Sequence, residues 1–147
     1  MSFLKAMMEK EPPEPENPIG TVVIGNLEGD RVHQTAKDLV RKSLMKAQFK
    51  TVDLGKNVTG EVFASKAKEL NADIIAVSAL MMNSVLQLKD LKKAIDSGKW
   101  KTKPKLLVGG APFSIDPELF EHTGADASAP TALVVARECM HLVGVDH

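Results

Sequence analysis

The chain holds little that could cross-link it, carry it through a membrane or draw it to a polyanion. Only one of its 147 residues is cysteine, Cys139, so no internal disulfide can form and a reducing cytoplasm is the expected compartment. Basic and acidic residues number 19 each, and the zero net charge gives no reason to expect nucleic acid or an anionic membrane as a partner. No apolar run approaches the roughly 20 residues that span a bilayer. The N-terminus lacks a basic region followed by an apolar core, so no secretion signal is expected. Cysteine and histidine nowhere cluster at zinc-ligand spacing, which argues against an all-protein metal site. What is present is ordinary for a globular protein: 44% hydrophobic and 26% charged residues, at a length that suits one domain and is short for two.

The first nineteen residues stand apart. Four of the eight prolines lie in Glu11-Pro12-Pro13-Glu14-Pro15-Glu16-Asn17-Pro18, through which neither helix nor sheet can run. Residues 1–19 are therefore expected to form a flexible arm, with Ser2 to Lys10 as a short apolar-faced segment ahead of the prolines, and residues 20–147 the domain. From residue 20, short apolar runs alternate with helical periodicity. Strands are expected at Thr21–Gly25, Thr51–Leu54, Asp73–Ser78, Lys105–Val108 and Ala125–Ala127. Helices follow them. The predicted inward faces are Ala36, Leu39, Val40, Leu44 and Ala47 on the first, Val62, Phe63, Ala67 and Leu70 on the second, and Val85, Leu88, Leu91 and Ile95 on the third. A short fourth helix is expected near Pro117–His122. A fifth should begin near Pro130, with Leu133, Ala136, Met140 and Val143 inward. Strands alternating with helices predict an α/β fold, a flavodoxin-like, Rossmann-like doubly wound five-stranded parallel sheet with helices on both faces, in the order 2-1-3-4-5. Ligands of such sheets bind beyond the carboxyl ends of the strands, near the switch point.

Three segments at those ends are unusual. In Val108-Gly109-Gly110-Ala111-Pro112, two glycines remove side chains where backbone turns tightly or approaches a ligand; the spacing fits no P-loop. In Ser78-Ala79-Leu80-Met81-Met82, a hydroxyl ends a wholly apolar strand, where it either caps the next turn or meets a ligand. The methionines are core filler or an apolar surface for a flat ligand. After the first strand comes Gly29-Asp30-Arg31-Val32-His33-Gln34-Thr35-Ala36, placing His33 just ahead of a helix. Imidazole is the commonest protein ligand of transition metals, although a lone histidine there is more often a cap or surface group. His122, His141 and His147 read as surface or capping residues.

Together these segments resemble the cobalamin-binding domain of corrinoid methyl-transfer proteins and the cobalamin module of methionine synthase. The resemblance rests also on Val52-Asp53-Leu54-Gly55, Ala72-Asp73-Ile74-Ile75, Gly124-Ala125-Asp126 and Ala129-Pro130, in the family's order over about 125 residues. It implies that His33, at the histidine of an Asp-x-His-x-x-Gly motif, binds cobalt from below in place of the cofactor's own base. It implies also that the displaced nucleotide tail enters a slot between sheet and helices. Ser78 would hydrogen-bond the tail, Gly109 and Gly110 would form the open wall, and Ala129 and Pro130 would meet its end. Asp30, Arg31, Thr35, Ala36, Leu80, Met82 and Ala111 complete the expected contacts. The motif is altered. With His33 held in place, Arg31 stands at the aspartate position and Ala36 at the glycine; with Asp30 held, one residue is extra. Arginine cannot accept the imidazole proton. The Ala36 methyl group narrows the path of the tail.

The resemblance implies a cobalamin-binding protein that carries a methyl group between methyltransferase or activating partners and is not catalytic alone. The cofactor is cobalamin or a related corrinoid. Related proteins carry an N-terminal helical bundle over the upper corrin face; here the arm alone precedes the domain, so that face is expected to be open or covered by another chain. A homo-oligomer is also among the expected partners. The other readings are a small subunit of an adenosylcobalamin-dependent mutase, a corrinoid storage, delivery or sensor protein, and a module that has lost its ligand. A receiver domain is disfavoured, because no acidic pair follows the first strand and no lysine closes the fifth.

Overall fold

Five short apolar runs hydrogen-bond side by side because none can satisfy its backbone alone while buried. The structure, a computed structural model, describes residues 11–27, 34–79, 82–110 and 116–145, with side chains left undescribed at 34, 35, 82–85, 117 and 120. The strands are β1 (Gly20–Asn26), β2 (Phe49–Asp53), β3 (Ile74–Ser78), β4 (Lys105–Gly109) and β5 (Ala127–Ala129). All pair in parallel, in the order β2-β1-β3-β4-β5, as expected from the sequence. Four α-helices are described: α1 (Gln34–Lys46), α2 (Gly60–Leu70), α3 (Met82–Ser97) and α4 (Val135–Leu142). Among the described residues, no helix is long and apolar enough to cross a membrane.

The sheet separates two cores. One face joins Val23, Leu27, Ile75 and Leu106 to Phe63 and Ala67 of α2 and Leu88, Leu91 and Ile95 of α3. The other joins Val22, Ile24, Ile74 and Leu107 to Leu44 of α1 and Val135, Cys139 and Met140 of α4. Local chemistry sets the boundaries. Thr59 caps α2 by accepting from the Val62 amide at 3.3 Å, and Asn71 ends it in the left-handed conformation, φ 51°. At the lower edge of the sheet, the Asp73 carboxylate accepts the Thr21 amide at 2.8 Å. Asp126 does the same for Leu106, also at 2.8 Å. Each side chain thus satisfies a strand amide just below the ladder. Residues 11–19 form neither helix nor a second strand, and meet the domain through the Ile19 amide on the Gln48 carbonyl (2.8 Å) and Glu11 on Arg41.

Expectations that need correction include the start of β2, which is Phe49 and not Thr51. The segment Pro117–Thr123 is a 3₁₀-helix, capped by Asp116 on the Glu118 amide, and not an α-helix. β5 runs Ala127–Ala129, two residues later than expected, because Asp126 spends its side chain and its own amide on Leu106 before the ladder begins. Val62 is 45% exposed: Phe63, Ala67 and Leu70 set the inward stripe of α2, and Val62 lies beside it. Leu133 is 43% exposed, since Ala132–Val134 forms a 3₁₀ turn before α4. That change of helical period turns Val135, Cys139 and Met140 inward and Leu133 away.

Candidate functional site

The parallel register builds the site. Asn26 of β1 pairs with Ser78 of β3, Ser78 with Gly109 of β4, and Gly109 with Ala129 of β5. These four residues form one row across the carboxyl ends of the strands. One step below lies the row Ile24, Ala76, Leu107 and Ala127. Alternation along a strand places both rows on one face of the sheet, the face covered by α1 and α4. Along the upper row the side chains shrink from asparagine to serine to glycine, and alanine at the end adds only a methyl group. The sheet and helices therefore cannot close there.

What remains is a cavity of about 250 Å³. Its floor comprises both rows apart from Ala127, its first wall is Ala36, Lys37 and Val40 of α1, and its second is Pro130, Thr131, Ala132 and Val135. The interior is apolar and the polar groups gather toward the strand ends. Lys37, with 9% of its side chain exposed, pairs with Asp53 at 3.3 Å, and Asp53 also accepts the Gly55 amide at 2.8 Å. The cation is thus fixed at the α1 wall with its charge balanced. Asn26 is 3% exposed, and its Oδ1 has no hydrogen-bond partner among the described residues.

The glycine pair divides into two roles. At Gly109, an added Cβ would stand 3.1 Å from the Ala129 carbonyl oxygen, so the missing side chain keeps the slot floor open. Gly110 has φ +118°, and a Cβ there would collide with the Ala79 carbonyl oxygen. The amide of Ala79 donates to the Gly109 carbonyl at 2.9 Å, so the loops after β3 and β4 are laced together. Gly110 is thus the point of tight backbone approach, and Gly109 lines the cavity without a side chain.

Of the residues expected from sequence, Ala36, Ser78, Gly109, Gly110, Ala129 and Pro130 converge on this cavity. Asp30, Arg31, His33, Leu80 and Ala111, and the side chains of Thr35 and Met82, lie outside the described residues. The sequence reading missed Asn26, Lys37 and Thr131. For Asn26 a signal existed: like Ser78, it is a polar residue ending an apolar strand.

The slot is smaller than the about 300–1,000 Å³ typical of pockets that enclose a whole drug-sized ligand. It suits one narrow, largely apolar arm of a bigger molecule, with hydrogen-bonding groups at one end. The B12-binding domain model matches residues 20–137, which contain every described element of the slot. The trimethylamine corrinoid protein 1 of Methanosarcina acetivorans is 40% identical over 116 residues, 79% of this chain and 53% of that protein. The solved monomethylamine corrinoid protein of Methanosarcina barkeri superposes with a TM-score of 0.74 at 27% identity, over 95% of this chain and 63% of that one. A cobalamin-binding protein from Desulfitobacterium hafniense shares the fold at a TM-score of 0.76 and 24% identity, over 85% of this chain and 59% of that one. The chain spans about half the length of the curated relatives it matches.

Proposed function

The chain belongs to the B12-binding domain family, and on that premise we propose that it is the corrinoid carrier of a methyl-transfer system. The observation that carries the proposal is the slot itself: a narrow apolar cleft at the carboxyl ends of the strands, floored by Asn26, Ser78, Gly109 and Ala129. The residues present fit a corrinoid tail. Ile24, Ala76, Leu107 and Val135 offer an apolar bed to a flat base, Ser78 and Asn26 offer hydrogen bonds, and Gly109 leaves the floor bare where a side chain would obstruct entry. When bound, the corrinoid supplies a cobalt centre able to accept and release a methyl group.

The protein's own part is to hold and orient. Enclosing the tail between α1, α4 and the sheet would hold and orient the cofactor, and excluding water from the slot would strengthen each polar contact inside it. Within this proposal His33 would be the protein ligand of the cobalt, and Asp30 or Arg31 would stand where related proteins carry the carboxylate that orients it. Thr35, Leu80, Met82 and Ala111 would add further contacts to the cofactor. Methyltransferase partners, a cytoplasmic setting, the absence of nucleic-acid or membrane partners, and self-association all belong to the same proposal.

Two experiments test it. Reduced corrinoid-loaded protein, given a labelled methylamine and a methylamine-type methyltransferase, should take the label onto its cofactor and release it to a thiol only when a second, thiol-directed methyltransferase is added. Loaded protein that accepts no methyl group from any donor would instead be a store or sensor of the cofactor. For His33, paramagnetic resonance of the cobalt(II) form with nitrogen-labelled histidine should change with the label and with His33→Ala. A signal indifferent to both removes His33 from the lower axial position.

A further inference from the structure

One buried polar atom in the slot has no task among the described residues. Asn26 is 3% exposed, and its backbone is fully used: its amide donates to the Gly55 carbonyl and its carbonyl accepts the Val58 amide, each at 3.0 Å. Its side-chain Oδ1 has no partner among the described residues. Leaving a buried acceptor unmet is costly, whereas valine at the end of this apolar strand would be free of that cost. The position lies on the slot face in line with Val22 and Ile24, and is paired across the ladder with Ser78. An unmet polar group lining a ligand cavity calls for a ligand group of opposite hydrogen-bonding character.

We propose that the Asn26 carboxamide is a binding residue for the nucleotide tail of the corrinoid, accepting a hydrogen bond from a donor on that tail. The proposal rests on the corrinoid reading above. The donor is a hydroxyl or an N–H, carried either by the tail ribose or by the lower base. Asn26 and Ser78 then form adjacent polar contacts at the strand ends, while the apolar rows beneath them accept the flat part of the base.

The test compares wild type with Asn26→Val and Asn26→Thr, which differ from each other only in a methyl against a hydroxyl. Three corrinoids are titrated against apo-protein by visible absorbance: cobalamin, a cobamide with adenine as lower base, and cobinamide, which has no tail. Asn26→Val should weaken binding of a tail-bearing corrinoid about tenfold or more, leave cobinamide unchanged, and raise the apo thermal midpoint by a few degrees. Asn26→Thr should recover part of the lost affinity. Loss on both tail-bearing corrinoids assigns the donor to the ribose; loss on the adenine form alone assigns it to the base amine. Three results overturn the proposal: wild-type affinity for both tail-bearing corrinoids in Asn26→Val, an equal loss on cobinamide, or a lowered apo midpoint, which would make Asn26 a residue of the fold. Wild-type protein that takes up none of the three overturns the corrinoid reading along with it.

Discussion

The α-hydrogen of Gly110 faces the Ala79 carbonyl oxygen so closely that no side chain fits between them. Because φ is +118° at the same residue, Gly110 is excluded from substitution twice, by contact and by conformation. Gly109 has φ outside that region and meets only the Ala129 carbonyl, at 3.1 Å from an added Cβ. The two substitutions should therefore separate. Gly110→Ala should cost about 3 kcal/mol or more of stability in urea unfolding. Gly109→Ala should cost about 1 kcal/mol and act mainly on corrinoid affinity. Equal stability losses would refute the division.

Ala36 forms part of the α1 wall. Ala36→Leu should fill the slot and abolish retention of tail-bearing corrinoids, while cobinamide binding and the unfolding midpoint change little. Ala36→Gly should cost about 1 kcal/mol of helix stability and still bind cobalamin more tightly, since it widens the path of the tail. Unaltered cobalamin affinity in both variants would place the tail elsewhere.

Asp73 and Asp126 satisfy the Thr21 and Leu106 amides at the lower edge of the sheet, opposite the slot. Truncating either to alanine should cost about 1–3 kcal/mol. The two hydrogen bonds share no residue, so the double variant should show the sum of the single losses, with corrinoid affinity unchanged in the protein that remains folded. A specific loss of affinity would show that these carboxylates reach the site.

Cys139, on the inward face of α4, is buried in the core, and burial pushes its thiol up to about 12 from an ordinary 9.0. The folded protein keeps the proton that the unfolded chain releases above its own pKa. The contribution of the neutral thiol is complete below pH 9 and falls between 9 and about 12, by up to about 1.4 kcal/mol per pH unit. Cys139→Ala should remove that part of the alkaline loss, although its small cavity lowers stability at neutral pH. Thiol labelling of the native protein should track unfolding. Rapid labelling of folded protein at pH 8 would contradict the burial.

The strand order and most of the slot were legible because apolar runs such as Ile74-Ile75-Ala76-Val77 carry their burial in their composition. The glycine pair and Ser78 stood out by interrupting such runs. Asn26 interrupts β1 in the same way, but the expected strand stopped at Gly25, one residue short of it. Lys37 reads as a solvated helix charge until Asp53, sixteen positions away, is brought beside it by the parallel crossover. Leu133 and Val62 fit an ideal helical stripe, which a 3₁₀ turn and a competing phenylalanine displaced. What the sequence conceals is long-range pairing and local change of helical period; neither is written in the spacing of apolar residues.

In the proposed function, the slot between the sheet, α1 and α4 holds the tail of a corrinoid. Apo-protein incubated with hydroxocobalamin, desalted and examined by visible absorbance tests it most directly, with cobinamide and Ala36→Leu as controls. Wild type should emerge coloured at one cobalamin per chain, cobinamide should wash away, and the variant should lose cobalamin. A colourless wild-type protein, or one that retains cobinamide as firmly as cobalamin, would contradict it.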